Sequence, residues 1–255
     1  MPRRTAVSVS DAADAAPFIA ETGAPVKRSA ILYSWQLAPN YLSSAIESAF
    51  SFRYAILKRA LDIILSLTLL IALLPFGFII ALLVAVTSPG PIFFTEERVG
   101  RFRVPFRIFK FRSMYVSRPG TNVFDISKAQ ANGSFANRVR KRTQDPRITP
   151  LGRILRRMSL DELPQLWNVL LGDMSLVGPR PIVHAERRLY GRFLPYYDLF
   201  CPGITGLWQV SGRSDVDYDR RVLYDREYAS RWSCLLDFSI LLRTIPAVIT
   251  MRGAY

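Results

Sequence analysis

Histidine and cysteine are nearly absent from this 255-residue sequence. His184 is its one histidine, and its two cysteines, Cys201 and Cys234, lie far apart and outside any C-x-x-C pair. The sequence therefore offers no disulfide framework and no Cys- or His-rich metal motif, which is consistent with a reducing compartment. A Ser-His-Asp or Cys-His mechanism would need His184 as its base, and its neighbours are more typical of a surface or packing histidine.

Lysine is scarce too, although the chain is strongly basic. Lys and Arg total 34 against 20 Asp and Glu, which gives a formal net charge of +14, and nearly all of the cations are arginines. Arginine binds phosphate oxygens in pairs, so this balance suits phosphorylated ligands, anionic lipid headgroups or nucleic acid. The sequence carries no helix-turn-helix, RNA-binding-sheet or zinc-finger signature, which argues against nucleic acid.

A long run without any charged residue extends over Ile63–Thr95. It could cross a bilayer as one helix. However, Pro75 removes a backbone hydrogen bond within the run, and basic residues flank both of its ends, which the positive-inside rule keeps in the cytoplasm. The residues alone leave open a single span or a re-entrant helix that breaks at Pro75 and returns. In either case we place Lys58 and Arg59 at the membrane interface, where Asp62 can pair with one of them.

Composition divides the chain into three parts. Residues 1–50 lack the pattern of a signal peptide or a spanning helix and are expected to be largely disordered. Residues 51–90 form the membrane element, and residues 91–255 form a small α/β domain, mostly helical with short strands. Within this domain, the polar segment 115–144 predicts a flexible loop. Residues 233–251 predict an amphipathic helix, either on the membrane surface or packed on the core.

Several basic residues are candidates for binding phosphate. Residues 105–111 alternate apolar and basic side chains, so Lys110 and the following Arg112 could face a ligand, although solvated surface charge is the commoner explanation. Two loops punctuated by Gly and Pro each end in an arginine, Arg180 and Arg213. A stiffened loop pre-organises a phosphate clamp, and an exposed arginine at a tight turn is the alternative.

Two adjacent carboxylates, Asp161 and Glu162, stand among these arginines. Ser159 with Glu162 three residues later matches a capping box, and Pro164 is typical of a helix start. The pattern therefore predicts both carboxylates in the first turn of a helix, where they would complement the helix dipole. Arg156 belongs to a preceding helical segment with basic residues at helical spacing.

Taken in order, the motifs resemble the bacterial sugar transferase family, the monotopic phosphoglycosyl transferases that begin lipid-linked glycan assembly. The resemblance covers about Phe52 to Tyr255. It rests on Lys58–Asp62, Lys110–Met114, Asp145–Thr149, Ser159–Val169, Gly178–Pro181 and Pro202–Gly206.

The resemblance implies an activity and its partners. A sugar 1-phosphate would pass from a UDP-sugar to undecaprenyl (polyprenyl) phosphate with release of UMP, the first membrane step of exopolysaccharide or other glycoconjugate synthesis. Asp161 would be the nucleophile that carries the phosphosugar in a ping-pong cycle, with Glu162 as its partner and Mg²⁺ held by both. The positions implied to bind substrate are Lys110, Arg156, Arg180 and Arg213.

The resemblance also implies a location. The family's membrane element is a re-entrant helix broken at a Ser-Pro pair, so we expect the bacterial inner membrane with the active site on its cytoplasmic face. Here the pair is Leu74-Pro75, which keeps the bend but loses a hydroxyl that could bond a freed backbone group. Membrane lipids are expected partners, and a homo-oligomer is compatible with the sequence. The alternative, a non-enzymatic basic module on the membrane that binds anionic lipid or nucleic acid, explains the charge but not Asp161-Glu162.

Overall fold

The computed structural model describes residues 51, 53–116, 147–212 and 216–250. Three sequence predictions lie wholly or largely outside these residues. They concern the extension 1–50, the loop 115–144 and the phosphate ligand Arg213.

A π-helical turn, Arg53–Lys58, leads into a long helix, α1, over Arg59–Thr87. Among the described residues, Ile56–Thr87 is the one helical segment long and apolar enough to cross a membrane. Pro75 lies inside α1. α1 is continuous through this proline, and the re-entrant path stays a prediction.

The globular part that follows consists mainly of short helices, with four short strands in the described residues. This confirms the predicted architecture of helices with a minor strand content. In chain order its elements are β1 Phe93–Val99, β2 Pro105–Phe111, α2 Pro150–Arg157, α3 Gln165–Leu171, β3 Ser175–Val177, α4 Arg187–Tyr190, α5 Leu194–Leu199, β4 Gly203–Thr205, α6 Leu207–Val210, α7 Tyr218–Arg231 and α8 Cys234–Ile249.

The strands form two separate pairs. β1 and β2 are antiparallel, with Phe93 opposite Phe111, whereas β3 and β4 are parallel. Glycines let the loops after β3 and before β4 touch backbone to backbone, since a Cβ on Gly203 would lie 2.1 Å from the nitrogen of Gly178. Any side chain at that position would force the two loops apart.

Both ends of α1 pack against this one globular part. Near the first end, Asp62 accepts hydrogen bonds from Leu176 N at 3.0 Å and Ser175 Oγ at 3.1 Å, rather than pairing with Lys58 or Arg59 as predicted. Near the other end, Arg112 donates to Val84 O at 3.1 Å and to Ser88. Arg112 is buried there, which corrects its prediction as a phosphate ligand.

The middle of α1 has a different environment from its ends. Ile71 and Leu74 are each 66% exposed, and Phe78 is 70% exposed. Such large apolar side chains are unfavourable in water, so their exposure around Pro75 indicates a surface made for lipid.

A buried ion pair holds the start of α1 to α8. Lys58 Nζ donates to Asp237 Oδ2 at 2.7 Å and to Val177 O at 2.9 Å. Tyr228 and Trp232 also donate to the Asp237 carboxylate, at 2.8 and 3.1 Å. Lys58 is 4% exposed, so its charge is satisfied inside the protein, and its location at the level of the membrane interface stays a prediction.

Arg59 is likewise used within the fold. Its guanidinium donates to Val169 O and, at 2.7 Å, to Leu170 O. These carbonyls belong to the last turn of α3, where they have no partner within the helix and the dipole favours a cation. Arg59 therefore attaches α1 to α3.

The last helix, α8, is amphipathic as predicted. One side contributes Asp237 and Ile240 to the interior. Exposed apolar residues recur along the other side at helical spacing, as expected for a surface that meets a membrane. They are Leu235, Phe238, Leu242, Ile245 and Ile249.

Candidate active site

The segment between α2 and α3 carries the adjacent carboxylates. The Thr149 hydroxyl oxygen caps α2 by accepting from Gly152 N at 2.8 Å, and α2 ends at Arg157. Ser159 then adopts a left-handed conformation, with φ of 57°. Leu160–Glu162 forms a 3-10 turn, and Pro164 immediately precedes α3.

The capping-box prediction is therefore wrong. Ser159 makes no side-chain cap, and its left-handed backbone places it outside the usual geometry of a capping residue. Glu162 reaches Lys110 Nζ on β2 instead, at 2.6 Å. A charge-assisted bond to an ammonium is stronger than a bond to a neutral backbone amide, which explains the outcome.

Apolar packing anchors this segment to the membrane helix. Ile80 and Val84 of α1 form a buried cluster with Phe111 and Leu155. Leu160 and Leu163, which flank the carboxylates, pack against the same cluster. The position of the carboxylates is thus set by the second half of α1.

Asp161 is an unusual carboxylate, because it is only 7% exposed. Burial and the adjacent charge of Glu162 raise its pKa to about 6, against the opposing influence of Lys110 and Arg156. An aspartate with a raised pKa is still mainly ionised at neutral pH, and it is more basic than an ordinary carboxylate.

Glu162 is shifted in the opposite direction. Burial acts to raise its pKa, but the charges of Lys110 and Arg180 and hydrogen bonds from Lys110 and Gln165 outweigh burial and hold the pKa at about 2. Glu162 therefore stays ionised at every physiological pH. Neighbouring carboxylates with separated pKa values are typical of catalytic pairs.

A cleft opens beside Glu162. Two of the predicted phosphate ligands, Lys110 and Arg180, lie in its wall together with Glu162. The Arg180 guanidinium lies 5.9 Å from the centre of the Trp208 ring, and Arg221 lies 4.6 Å from the same ring. The lining residues are Arg98, Ile108, Lys110, Glu162, Gln165, Arg180, Pro181, Gly203, Ile204 and Gln209.

Arg156 lies on the other side of the carboxylate pair. Its Nε donates to the Ser113 hydroxyl at 2.9 Å, and its charge acts on Asp161. The structure thus brings Lys110, Arg156 and Arg180 to the pair.

Sequence reasoning missed three residues of the cleft, Arg98, Gln165 and Gln209. Arg98 lies in β1, and its side chain reaches the site because β1 pairs with β2. The two glutamines belong to motifs that were noted for other residues. An amide side chain carries no charge signal that could single it out in a sequence.

The carboxylate pair can be compared with the requirements of a metal ion. Within the described ranges, no group of three or more His, Cys, Asp or Glu side chains could enclose a metal. Mg²⁺, however, is commonly held by one or two carboxylates together with substrate phosphates and water. Asp161 and Glu162 fit this mode, because their mutual repulsion, seen in the raised pKa of Asp161, is relieved by a divalent cation.

The protein combines an apolar helix, a basic cleft and a pair of carboxylates with separated pKa values. This combination is typical of an enzyme that transfers phosphorylated groups at a membrane. The chain belongs to the bacterial sugar transferase family, whose model matches residues 53–251. Family membership confirms the resemblance found in the sequence and argues against a non-enzymatic basic module.

Similar proteins come from several bacteria. The exopolysaccharide production protein ExoY of Sinorhizobium fredii is 43% identical over 201 residues, which cover 78% of this chain and 88% of that protein. The undecaprenyl-phosphate galactose phosphotransferase of Salmonella typhimurium is 46% identical over 204 residues, 78% of this chain but only 42% of that protein. The UDP-glucose:undecaprenyl-phosphate glucose-1-phosphate transferase of Caulobacter vibrioides is 39% identical over 206 residues, 78% of this chain and 72% of that protein.

Proposed function

We propose that this protein transfers a sugar 1-phosphate from a UDP-sugar to undecaprenyl phosphate, releasing UMP and starting the assembly of a lipid-linked polysaccharide. The observation that carries the proposal is the pair of Asp161 and Glu162 at the edge of a basic cleft. Asp161 is buried, and the Glu162 carboxylate accepts a hydrogen bond from Lys110 Nζ at 2.6 Å. The names of the Salmonella and Caulobacter relatives describe this class of reaction.

The first step is a displacement at the phosphorus atom that bears the sugar. An oxygen of the Asp161 carboxylate forms a bond to this phosphorus, and the bond from phosphorus to the bridging oxygen of the diphosphate breaks. UMP leaves with the electron pair, and the sugar phosphate stays on Asp161 as an acyl phosphate. The raised pKa of Asp161 supports this role, since a more basic carboxylate is a better nucleophile.

The second step returns Asp161 to its initial state. A phosphate oxygen of undecaprenyl phosphate attacks the same phosphorus, and the bond to Asp161 breaks. The product is undecaprenyl diphosphate sugar, and the cycle is ping-pong because UMP leaves before the lipid reacts. Attachment of the carboxylate segment to α1 through Leu160 and Leu163 supports this second step, because it ties Asp161 to the helix that is proposed to enter the lipid.

The basic residues offset the repulsion between a carboxylate and a diphosphate. Lys110 and Arg180 belong to the cleft, and Arg156 acts from the side of Asp161. We assign substrate phosphates to these three side chains. Arg213 lies outside the described residues. We propose it as a fourth phosphate ligand because it ends one of the two loops that are punctuated by Gly and Pro.

Asp161 and Glu162 are proposed to hold Mg²⁺ together with the substrate phosphates. Bound there, the ion would neutralise phosphate charge and lower the barrier to attack by an anion. Glu162 suits this role because its low pKa keeps it charged.

We further propose that α1 is re-entrant, with the active site on the cytoplasmic face of the inner membrane. Both ends of α1 bond to the same globular part, through Asp62 and through Arg112. The exposed apolar side chains lie between these ends, around Pro75. A helix that enters the bilayer and returns accounts for this distribution better than a span, which would separate its ends by the membrane thickness of about 30 Å.

The test is UMP release by the full chain in lipid nanodiscs supplied with undecaprenyl phosphate and a panel of UDP-sugars. At least one donor should yield UMP, and Asp161→Asn should abolish the release while the protein folds normally. With donor alone, the unaltered chain should gain the mass of a sugar phosphate on Asp161. The matched control is Asp219→Asn, an exposed aspartate on α7. Turnover by Asp161→Asn would overturn the assignment of the nucleophile.

A further inference from the structure

Two polar atoms in the cleft are buried without a partner. Gln209 Oε1 and Arg98 Nε are both shielded from solvent, and neither makes a hydrogen bond to any described group. Both residues line the cleft that contains Lys110, Glu162 and Arg180. Buried polar groups in native proteins are nearly always paired. An unmet donor and an unmet acceptor in one cleft therefore indicate a ligand that supplies both partners.

Each of these side chains is held in place by its surroundings. The Arg98 guanidinium bonds Glu96 and, at 3.3 Å, the Pro181 carbonyl, which leaves Nε as the unpaired position. Gln209 follows Gly206, where a Cβ would lie 2.8 Å from Gln209 Oε1. Because Gly206 has no side chain, the Gln209 amide oxygen can lie close to the backbone of this glycine.

The chemistry of the two atoms narrows the choice of ligand group. Arg98 Nε–H needs an acceptor, and Gln209 Oε1 needs a donor. A phosphate oxygen can only accept, so it could pair with Arg98 Nε–H but not with Gln209 Oε1. A hydroxyl group both donates and accepts, so sugar hydroxyls match this pair.

We propose that Arg98 and Gln209 bind hydroxyl groups of the transferred sugar. The inference rests on the proposed function, in which the sugar is bonded directly to the phosphate that Asp161 attacks. Glu162 and Lys110 line the same cleft, so the part of the donor beside them is the part next to the reacting phosphate. The uracil base is separated from that phosphate by a second phosphate and a ribose.

The test is a double-mutant cycle between protein and donor. It compares kcat/KM for UMP release from the preferred UDP-hexose and from its monodeoxy analogues. For the unaltered chain, one analogue should be slower by about 10- to 100-fold, because it leaves buried polar groups unpaired. Gln209→Met, similar in length but without hydrogen bonds, should be slower with the parent donor and lose little more with that analogue. Arg220→Met, at an exposed site on α7, should keep the pattern of the unaltered chain.

The outcomes separate the inference from the proposed function. If Gln209→Met slows the parent and every analogue by the same factor, the sugar assignment is overturned. The Gln209→Met effect could instead depend on methylation of the donor at uracil N3 and on none of the deoxy sugars. That result would assign Arg98 and Gln209 to the base and would also overturn the sugar assignment. If Gln209→Met does not fold, the same cycle with Arg98→Met decides the question. A lack of turnover by the unaltered chain with every UDP-sugar would overturn the proposed function itself, and the inference with it.

Discussion

At the residue scale, the site depends on the different environments of buried carboxylates. Asp161 and Glu162 are adjacent in the sequence, yet the pKa of Asp161 rises to about 6 and that of Glu162 falls to about 2. Lys110 bonds Glu162 directly, whereas Asp161 is buried without an equivalent bond to a cation among the described residues. Two neighbouring carboxylates thus differ in basicity, which supports the proposal of Asp161 as the nucleophile and of Glu162 as a permanent anion.

A buried carboxylate outside the site, Asp225, allows a prediction about pH. Burial raises the pKa of Asp225 on α7 to about 7, although a hydrogen bond from Tyr190 at 2.7 Å and the charges of Arg221 and Arg180 act in the opposite direction. Between the unfolded and folded pKa values, the folded state binds the proton and the unfolded state does not. The stability contributed by this group is therefore present at low pH and is lost as pH rises towards 7.

Replacing this aspartate should remove that pH dependence. Asp225→Asn keeps an acceptor for Tyr190 and cannot ionise, so its free energy of unfolding relative to the unaltered protein should rise from about pH 5 to about pH 8. The rise should be about 2 to 3 kcal/mol, because about two pKa units of the shift to about 7 fall in this range at 1.36 kcal/mol each. Thermal unfolding in detergent over this range measures the difference. Asp219→Asn on the same helix is exposed and should show no such trend. A constant difference between Asp225→Asn and the unaltered protein would contradict the prediction.

At the scale of elements, α1 is part of the globular fold as well as its membrane anchor. Its first residues bond α3, β3 and α8, and its last turns pack with β2 and α2. Arg112 donates to carbonyls at the end of α1, and Arg59 does the same at the end of α3. Basic residues at helix ends thus connect the membrane element to the domain, since the last carbonyls of a helix need donors.

The Lys58–Asp237 ion pair should be important for this connection. Because both side chains are nearly buried, Asp237→Asn removes the carboxylate that bonds the Lys58 ammonium, and we expect a loss of about 3 kcal/mol in unfolding free energy. The double variant Lys58→Met/Asp237→Asn should recover part of this loss, since the introduced amide keeps an acceptor for Tyr228 and the buried cation is removed together with the carboxylate. Thermal unfolding of the single and double variants in nanodiscs measures the coupling. Additive losses would show that the two charges do not stabilise each other.

At the scale of the whole molecule, two elements that pack on the domain with the active site expose apolar surfaces. The middle of α1 and one face of α8 are both exposed and apolar. The carboxylate segment is joined to α1 through Leu160 and Leu163. A protein seated on lipid by these surfaces would present Asp161 to a phosphate at the headgroup level, where a lipid substrate carries it.

Labelling of cysteines decides the path of α1. Cysteines placed at Leu57 and Pro89, both exposed, in a chain with Cys201→Ala and Cys234→Ala should react with an impermeant maleimide in inside-out vesicles and not in intact spheroplasts. A cysteine at Leu74 should react only after detergent is added, because it lies in lipid. Labelling of the Leu57 and Pro89 positions from opposite sides would establish a single span.

Composition and local order were enough to predict several features of this protein. The apolar run, the excess of arginine and the Asp161-Glu162 pair predicted a membrane element, a phosphate-binding site and its carboxylates. Mostly helical structure and the amphipathic α8 also followed from local patterns, because periodicity reports which face a helix buries.

The partners of individual charged side chains, by contrast, depend on contacts between distant parts of the chain. Lys110 and Arg112 are two residues apart, yet Lys110 bonds Glu162 and Arg112 bonds the end of α1. Lys58 turns inward to Asp237, 179 positions away along the chain. The Gln209 amide oxygen lies in the space that the missing side chain of Gly206 leaves open. A charged or amide side chain serves whichever unpaired group lies nearest in space, and distant parts of the chain supply those groups.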